Sequence, residues 1–191
     1  MKALIIIPAR YGSSRFPGKP LALLAGKPML LHVIEHAQQC QARLAGTVEI
    51  FIGVATDDER IRSFCEAREI PVCMTSPALP TGTDRALAAI DVFQESGDVV
   101  VSLQGDNPLV PPQVIQAVIE AFQNDHSCDV ATPVIRLSWE GLDSFRNAKI
   151  DSPFSGTTCL RAANGQAFWF SKMVLPAIRN EARLRAEGNL S

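Results

Sequence analysis

Arg10, Arg15 and Lys19 fall within a short basic stretch, residues 8–20, that also contains Gly12, Ser13, Ser14 and Gly18. Small residues let backbone N–H groups approach an anion, and arginine offers a planar fork to two phosphate oxygens at once. The pattern suits a polyanion, and a nucleoside triphosphate is the leading candidate. The plain alternative is a solvated surface turn, since charged loops ordinarily face water. Further along, Gln104-Gly105-Asp106-Asn107-Pro108 sets a carboxylate beside a glycine. Magnesium prefers one or two carboxylates completed by phosphate and water, so Asp106 could hold Mg2+ under a triphosphate. An Asp-Asn-Pro turn is the alternative there. A third stretch, residues 76–85, carries Thr81, Gly82, Thr83 and Arg85 at a helix start.

Two common phosphate motifs are excluded. A Walker A loop needs a different glycine spacing, and a Ser or Thr after its lysine. Here five residues separate Gly12 from Gly18, and Pro20 follows Lys19. The dinucleotide fingerprint G-x-G-x-x-G is absent as well.

The elements that must position these residues can be read in order. Residues 3–7 are a buried-type strand that runs straight into the basic loop. Pro28 opens a helix in which Met29, Leu30, Val33, Ile34 and Ala37 recur at helical spacing. His32 and His36 on it are four apart but have no acidic partner at metal-ligand spacing, so they read as half-exposed helix histidines. Residues 48–56 are a second buried strand, ending in an acidic helix start at Asp57, Asp58 and Glu59 that suits capping. Residues 71–75 are a short third strand, 84–95 a helix, and 98–106 a clear fourth strand. Pro111 and Pro112 start a helix through Gln123, and residues 129–136 read as one more strand. Strand and helix alternate, which predicts a mostly parallel sheet with helices on both faces. Such sheets bind ligands beyond their carboxyl ends, where the basic loop and Asp106 both fall. After residue 137 the signal weakens. Residues 138–159 read as helix or loop. A hairpin follows with Asn164-Gly165 as a two-residue turn, and Phe168, Trp169 and Phe170 as an apolar face, for core packing first and a dimer contact as the alternative. A polar helical tail closes the chain.

Composition sets outer bounds. The 191 residues suit one domain, a core over 1–136 with a hairpin and helix part over 137–191. Hydrophobic content of 47% supports a real core, and a net charge of −2 gives no footprint for nucleic acid or an acidic membrane surface. Five cysteines without paired spacing argue against a disulfide framework, and no cleavable signal or bilayer-length apolar run is present. A cytoplasmic protein is the expectation.

The wording of the basic loop is specific. Residues 8–21, PARYGSSRFPGKPL, resemble the signature of sugar-acid cytidylyltransferases. The ending Gly18-Lys19-Pro20-Leu21 is most similar to the 3-deoxy-manno-octulosonate (Kdo) branch. Thr81-Gly82-Thr83-Asp84-Arg85 resembles that family's Ser-Gly-Thr-Glu-Arg, and Gln104-Gly105-Asp106 its Gln-Gly-Asp, with Asn107 where Glu is usual. The resemblance implies a nucleotide-diphospho-sugar transferase-like (Rossmann-like) α/β fold plus a C-terminal β-hairpin. It also implies CMP transfer from CTP to Kdo, giving CMP-Kdo and pyrophosphate for lipopolysaccharide biosynthesis. Arg10, Lys19 and Asp106 would be catalytic, with Asp106 the metal ligand for Mg2+. Pro8, Ala9, Arg15, Thr81, Gly82, Thr83, Arg85 and Gln104 would join Arg10 and Lys19 in binding substrate. A homodimer is implied for a full-length member. Ser155-Gly156-Thr157-Thr158 departs from the family's Asn-x-Val-Lys, so a basic sugar-acid contact is either missing or supplied differently, with Lys149 and Arg161 as candidates. The family's G-x-Y-x-Y strand, its dimer helix and a second metal-binding aspartate have no counterpart in these residues. Other readings stay open: another sugar acid (8-amino-Kdo or a nonulosonate), or a nucleotide-binding chain without turnover.

Overall fold

Residues 3–9, Ala-Leu-Ile-Ile-Ile-Pro-Ala, offer no polar side chain to water, and the chain buries them on both sides. In the computed structural model, which describes residues 1–12 and 16–188, they lie in strand β1, Lys2–Ala9. Burial of each large aliphatic side chain contributes about 1.5–3 kcal/mol, so this strand is the natural centre of a core. A short 3-10 turn, Lys19–Leu21, and a two-residue ribbon of β2 (Leu23–Leu24) with β3 (Lys27–Pro28) lead into helix α1, Met29–Arg43. Then come β4 (Glu49–Thr56), α2 (Glu59–Glu66), β5 (Val72–Met74), α3 (Gly82–Phe93), β6 (Val99–Ser102) and α4 (Pro112–Asn124).

The larger strands form a four-stranded sheet in the order β5-β4-β1-β6, and every pairing is parallel. Ala3, Ile5, Ile7 and Ala9 face one layer, where Leu30, Val33 and Ile34 of α1, Ile61 and Cys65 of α2, and Ile115 and Ile119 of α4 pack. Leu4 and Ile6 face the other layer, against Ala86 and Ala89 of α3. Helices therefore cover both faces, which is why the strands read as unbroken apolar runs instead of alternating ones. Asp58 caps α2 by accepting from the Arg60 N–H, as its acidic start predicts. Among the described residues no helix is long and apolar enough to cross a membrane.

The chain divides into two units, Met1–Pro133 and Val134–Ser191. The second holds α5 (Trp139–Asp151), an antiparallel hairpin of β7 (Thr158–Arg161) and β8 (Ala167–Ser171), and α6 (Glu181–Ala186). Ser138 caps α5. Arg146 and Arg185 both engage Glu181, and Arg185 also pairs with Asp143, which ties α5 to α6.

Several expectations are corrected here. Residues 129–136 form no strand; Val130 and Ile135 are 84% and 83% exposed, and Pro133 removes a ladder donor. The hairpin turn is centred on Asn164-Gly165 but is a residue longer than expected. The Gly165 N–H donates to Ala162, Gly165 is left-handed at φ +96°, and Ala162 and Gln166 close the ends. Phe168, Trp169 and Phe170 are not core residues, since each is about half exposed or more. Among the described residues the tail is helical only over α6, with Pro176 in the non-helical part before it.

Candidate active site

Because every strand of the main sheet runs the same way, Ala9, Thr56, Met74 and Ser102 end at one edge. The loops leaving that edge carry the residues singled out from the sequence. Beyond β6 the backbone keeps pairing with β1: Leu103 N–H donates to Ile6 and Gly105 N–H to Pro8, at 3.0 and 3.1 Å. Gly105 has to be glycine for this, since a Cβ there would lie 2.9 Å from the Pro8 carbonyl oxygen. The chain then turns, with Asn107 N–H donating to the Gln104 carbonyl at 3.1 Å. That turn lifts Asp106 into solvent, where one carboxylate oxygen meets the Lys19 ammonium at 2.8 Å. Residues 87 apart in sequence thus meet at the sheet edge. Both side chains remain accessible, 33% for Lys19 and 52% for Asp106.

The other elements close around this pair. Pro8 and Ala9 are buried and form the floor. The amino end of α3 stands against them: a Cβ on Gly82 would lie 2.8 Å from the Gln104 amide oxygen and 3.3 Å from the Pro8 ring. A capping box fixes that end. Thr81 hydroxyl accepts from Asp84 N–H, and the Asp84 carboxylate accepts from Thr81 N–H, both at 3.1 Å. Asp84 thus does at this position what the usual Glu would do. Thr81, Thr83 and Gln104 are exposed along the same edge. Gln104 also donates to the Ser102 hydroxyl at 3.3 Å. Arg10 is half-buried and donates to the Leu79 carbonyl in the loop before α3. Arg15 lies outside the described residues.

Arg85 corrects the sequence reading. Its side chain is fully buried, with one guanidinium nitrogen 2.7 Å from Asp57 and another on the Thr75 hydroxyl. Burial lowers its pKa, Asp57 opposes that, and the nearby charge of Arg10 adds to the lowering. Arg85 therefore anchors the ends of β4, β5 and α3 together instead of facing the edge. Asp57 is the partner that the sequence did not reveal. It reads as one of several acids starting a helix, and only the fold brings it to Arg85. Lys149 is likewise used up: its ammonium donates to the carbonyls of Pro153, Ser155 and Lys172, at 3.2, 2.6 and 2.6 Å. It staples the Ser155-Gly156-Thr157 loop and has no donor directed elsewhere. Arg161 is exposed on β7.

A metal at the edge would rely on Asp106. Among the described residues no group of three or more His, Cys, Asp or Glu side chains is placed to hold an ion. A single accessible carboxylate next to a lysine fits a cation that arrives with phosphate oxygens, and does not fit a closed protein cage.

With this geometry in place, comparison with known proteins is decisive at the level of family. A model of cytidylyltransferases matches residues 4–187. The chain belongs to the cytidylyltransferase family. It is 42% identical over 176 residues to a 3-deoxy-manno-octulosonate cytidylyltransferase of Maricaulis maris. It is 38% identical over 177 residues to an 8-amino-3,8-dideoxy-manno-octulosonate cytidylyltransferase of a Shewanella species. Each match takes in 92% of this chain, but 66% and 67% of the relative. The chain spans less than two thirds of the Maricaulis protein, and 64% of another match from Nitrosococcus oceani. Among solved structures, a CMP:2-keto-3-deoxy-manno-octonic acid synthetase complexed with CTP superposes with a TM-score of 0.78 at 33% identity. That match covers 96% of this chain and 69% of the other. The nucleotide-diphospho-sugar transferase-like α/β fold, with its added hairpin, is therefore as expected.

Proposed function

We propose that this chain provides the nucleotide-binding part of an enzyme that transfers CMP from CTP to 3-deoxy-D-manno-octulosonic acid, giving CMP-Kdo and pyrophosphate for lipopolysaccharide biosynthesis. The observation that carries this reading is the meeting of Lys19 and Asp106 at 2.8 Å, at the carboxyl edge of a parallel sheet. Arg10, Thr81, Gly82 and Gln104 border the same edge, and the chain belongs to the cytidylyltransferase family. In the reaction the sugar's anomeric hydroxyl oxygen forms a bond to the α-phosphorus, the bond to pyrophosphate breaks, and the hydroxyl proton is released. Arg10, Arg15 and Lys19 would hold the triphosphate and offset charge on the leaving group, so the enzyme acts chiefly by positioning and electrostatics. Thr81, Gly82, Thr83 and Gln104 would line the nucleoside side, over the floor of Pro8 and Ala9. Asp106 would hold Mg2+, whose contribution is to neutralise and polarise phosphate oxygens. A cytoplasmic homodimer is part of the same reading.

The test is pyrophosphate release from CTP, ATP, GTP and UTP in turn, with Mg2+ and with Kdo, 8-amino-Kdo or neuraminate as acceptor. Release requiring CTP and Kdo is expected. The 8-amino-Kdo arm is included because relatives of that name match over the same share of the chain. Preference for a nucleotide other than CTP would overturn the reading. Binding of CTP without release would reduce it to nucleotide recognition.

A further inference from the structure

The basic loop follows β1, and Tyr11 near its start is zipped to Gly18 near its end. Gly18 N–H donates to the Tyr11 carbonyl at 2.8 Å. Gly18 is left-handed at φ +73°, and its backbone lies against the phenol end of the Tyr11 ring; a Cβ there would sit 2.8 Å from the ring. The ring is held from the helix side as well. The guanidinium carbon of Arg60 lies 3.3 Å above the ring centroid. Arg60 is itself fixed by a two-pronged ion pair with Asp58, at 2.8 and 2.6 Å, and Asp58 is the residue that caps α2. A chain of contacts thus runs from the first turn of α2 through Arg60 and Tyr11 to Gly18. Neither Tyr11 nor Arg60 stands among the site residues read from the sequence.

Tyr11 stands between the two cations of the described edge. Arg10 precedes it directly. Lys19 follows Gly18, whose carbonyl accepts from Leu21 and Ala22 N–H and so starts the turn from which Lys19 projects to Asp106. We propose that Tyr11 is a positioning residue for polyphosphate: anchored on Arg60 and packed on Gly18, its ring holds the two ends of the loop in register, so that Arg10 and Lys19 address one ligand. This rests on the reading of the edge as a triphosphate site. It does not require Tyr11 to touch the ligand.

The experiment measures calorimetric affinity for CTP and for inorganic triphosphate, each with Mg2+. The proteins are the wild-type chain, Tyr11→Ala, Tyr11→Phe, Arg60→Ala, Lys19→Ala and the double variant Tyr11→Ala/Lys19→Ala, with melting temperature followed for each. Tyr11→Ala is expected to weaken both ligands about tenfold or more, while Tyr11→Phe, which keeps the ring, stays within about twofold. Arg60→Ala removes the cation–π anchor together with its exposed ion pair to Asp58, and should weaken binding about two- to fivefold. Because Tyr11 acts through Lys19, removing it in the Lys19→Ala background should cost clearly less than in the wild type. Wild-type affinity in Tyr11→Ala, a Tyr11→Phe as weak as the alanine variant, or fully additive losses in the double variant would each overturn the proposal. A chain that binds inorganic triphosphate with this Tyr11 dependence but ignores CTP would refute the nucleotide reading and leave the positioning role standing. A chain that binds neither ligand refutes both.

Discussion

Replacing Lys19 by alanine separates a site from a surface ion pair. The Lys19–Asp106 pair is short, but both partners keep substantial contact with water, 33% and 52%. Exposed pairs of this kind contribute about 0.2–1 kcal/mol to stability, because water and salt screen them and two long side chains lose freedom. For a chain of this size, 1 kcal/mol moves the melting temperature by about 2–4 °C. Lys19→Ala should therefore melt within about 4 °C of the wild type. Its effect on turnover should be far larger. One preorganised donor facing charge that builds in a transition state is worth about 2.7–4 kcal/mol, or 10²–10³ in rate. The assay is pyrophosphate release under saturating CTP with Mg2+ and Kdo, with circular dichroism melts on the same samples. Asp106→Asn should follow the same pattern, with a rate loss of at least about 10² and a small thermal shift. Turnover within twofold of wild type, or a thermal loss large enough to account for the rate, would refute the argument that this contact belongs to the chemistry.

Arg85→Met is expected to behave in the opposite way. It removes the partner of Asp57 inside the protein and should destabilise by about 3–5 kcal/mol, read as the largest drop in urea midpoint among the edge variants. Glu181 is held down to about 2 by hydrogen bonds from Arg146 and then Arg185. Its folded-state pKa lies below its unfolded value, so its contribution is fully present above the unfolded value and is lost as pH falls from there toward about 2. Melting of the wild type should decline over that acid window, with a shallower decline in Glu181→Gln. Burial pushes the thiols of Cys40 and Cys73 up to about 11 and that of Cys65 up to about 12. Iodoacetamide at pH 8 should therefore label the half-exposed Cys128 and Cys159 and spare those three in the native protein, as read by peptide mass spectrometry.

Much of the edge was legible because its signals are local. The basic loop, the Thr81-Gly82 helix start and the Gln104-Gly105-Asp106 turn each declare their type within a few residues. The alternation of strand and helix then sends them to the same side, since parallel strands all end together. The turn read at Asp106 is present, and the Gln104–Asn107 turn is what lifts the carboxylate to Lys19. Arg85 escaped because its signal is a partner, not a motif. Nothing near it in sequence distinguishes an arginine that faces phosphate from one that is buried on Asp57. Tyr11 and Arg60 escaped for the same reason, their contact being made only when α2 packs beside the loop.

The second unit failed where sequence patterns depend on a surface to bury. An apolar run such as Phe168-Trp169-Phe170 states that a hairpin is favourable, and β8 forms there, but the run does not say what covers it. In this chain those rings are exposed, and so are Val130 and Ile135 in the segment expected to be a strand, which straddles the boundary of the two units. A strand is stabilised by its cross-strand neighbours and by burial, so a run with β-forming residues and no partner stays irregular, the more so with Pro133 within it. The long strands β1 and β4 pair with each other along eight residues and are covered on both faces. The candidate edge is assembled wholly within Met1–Pro133, so Lys19 and Asp106 are held together by a sheet that completes its own core.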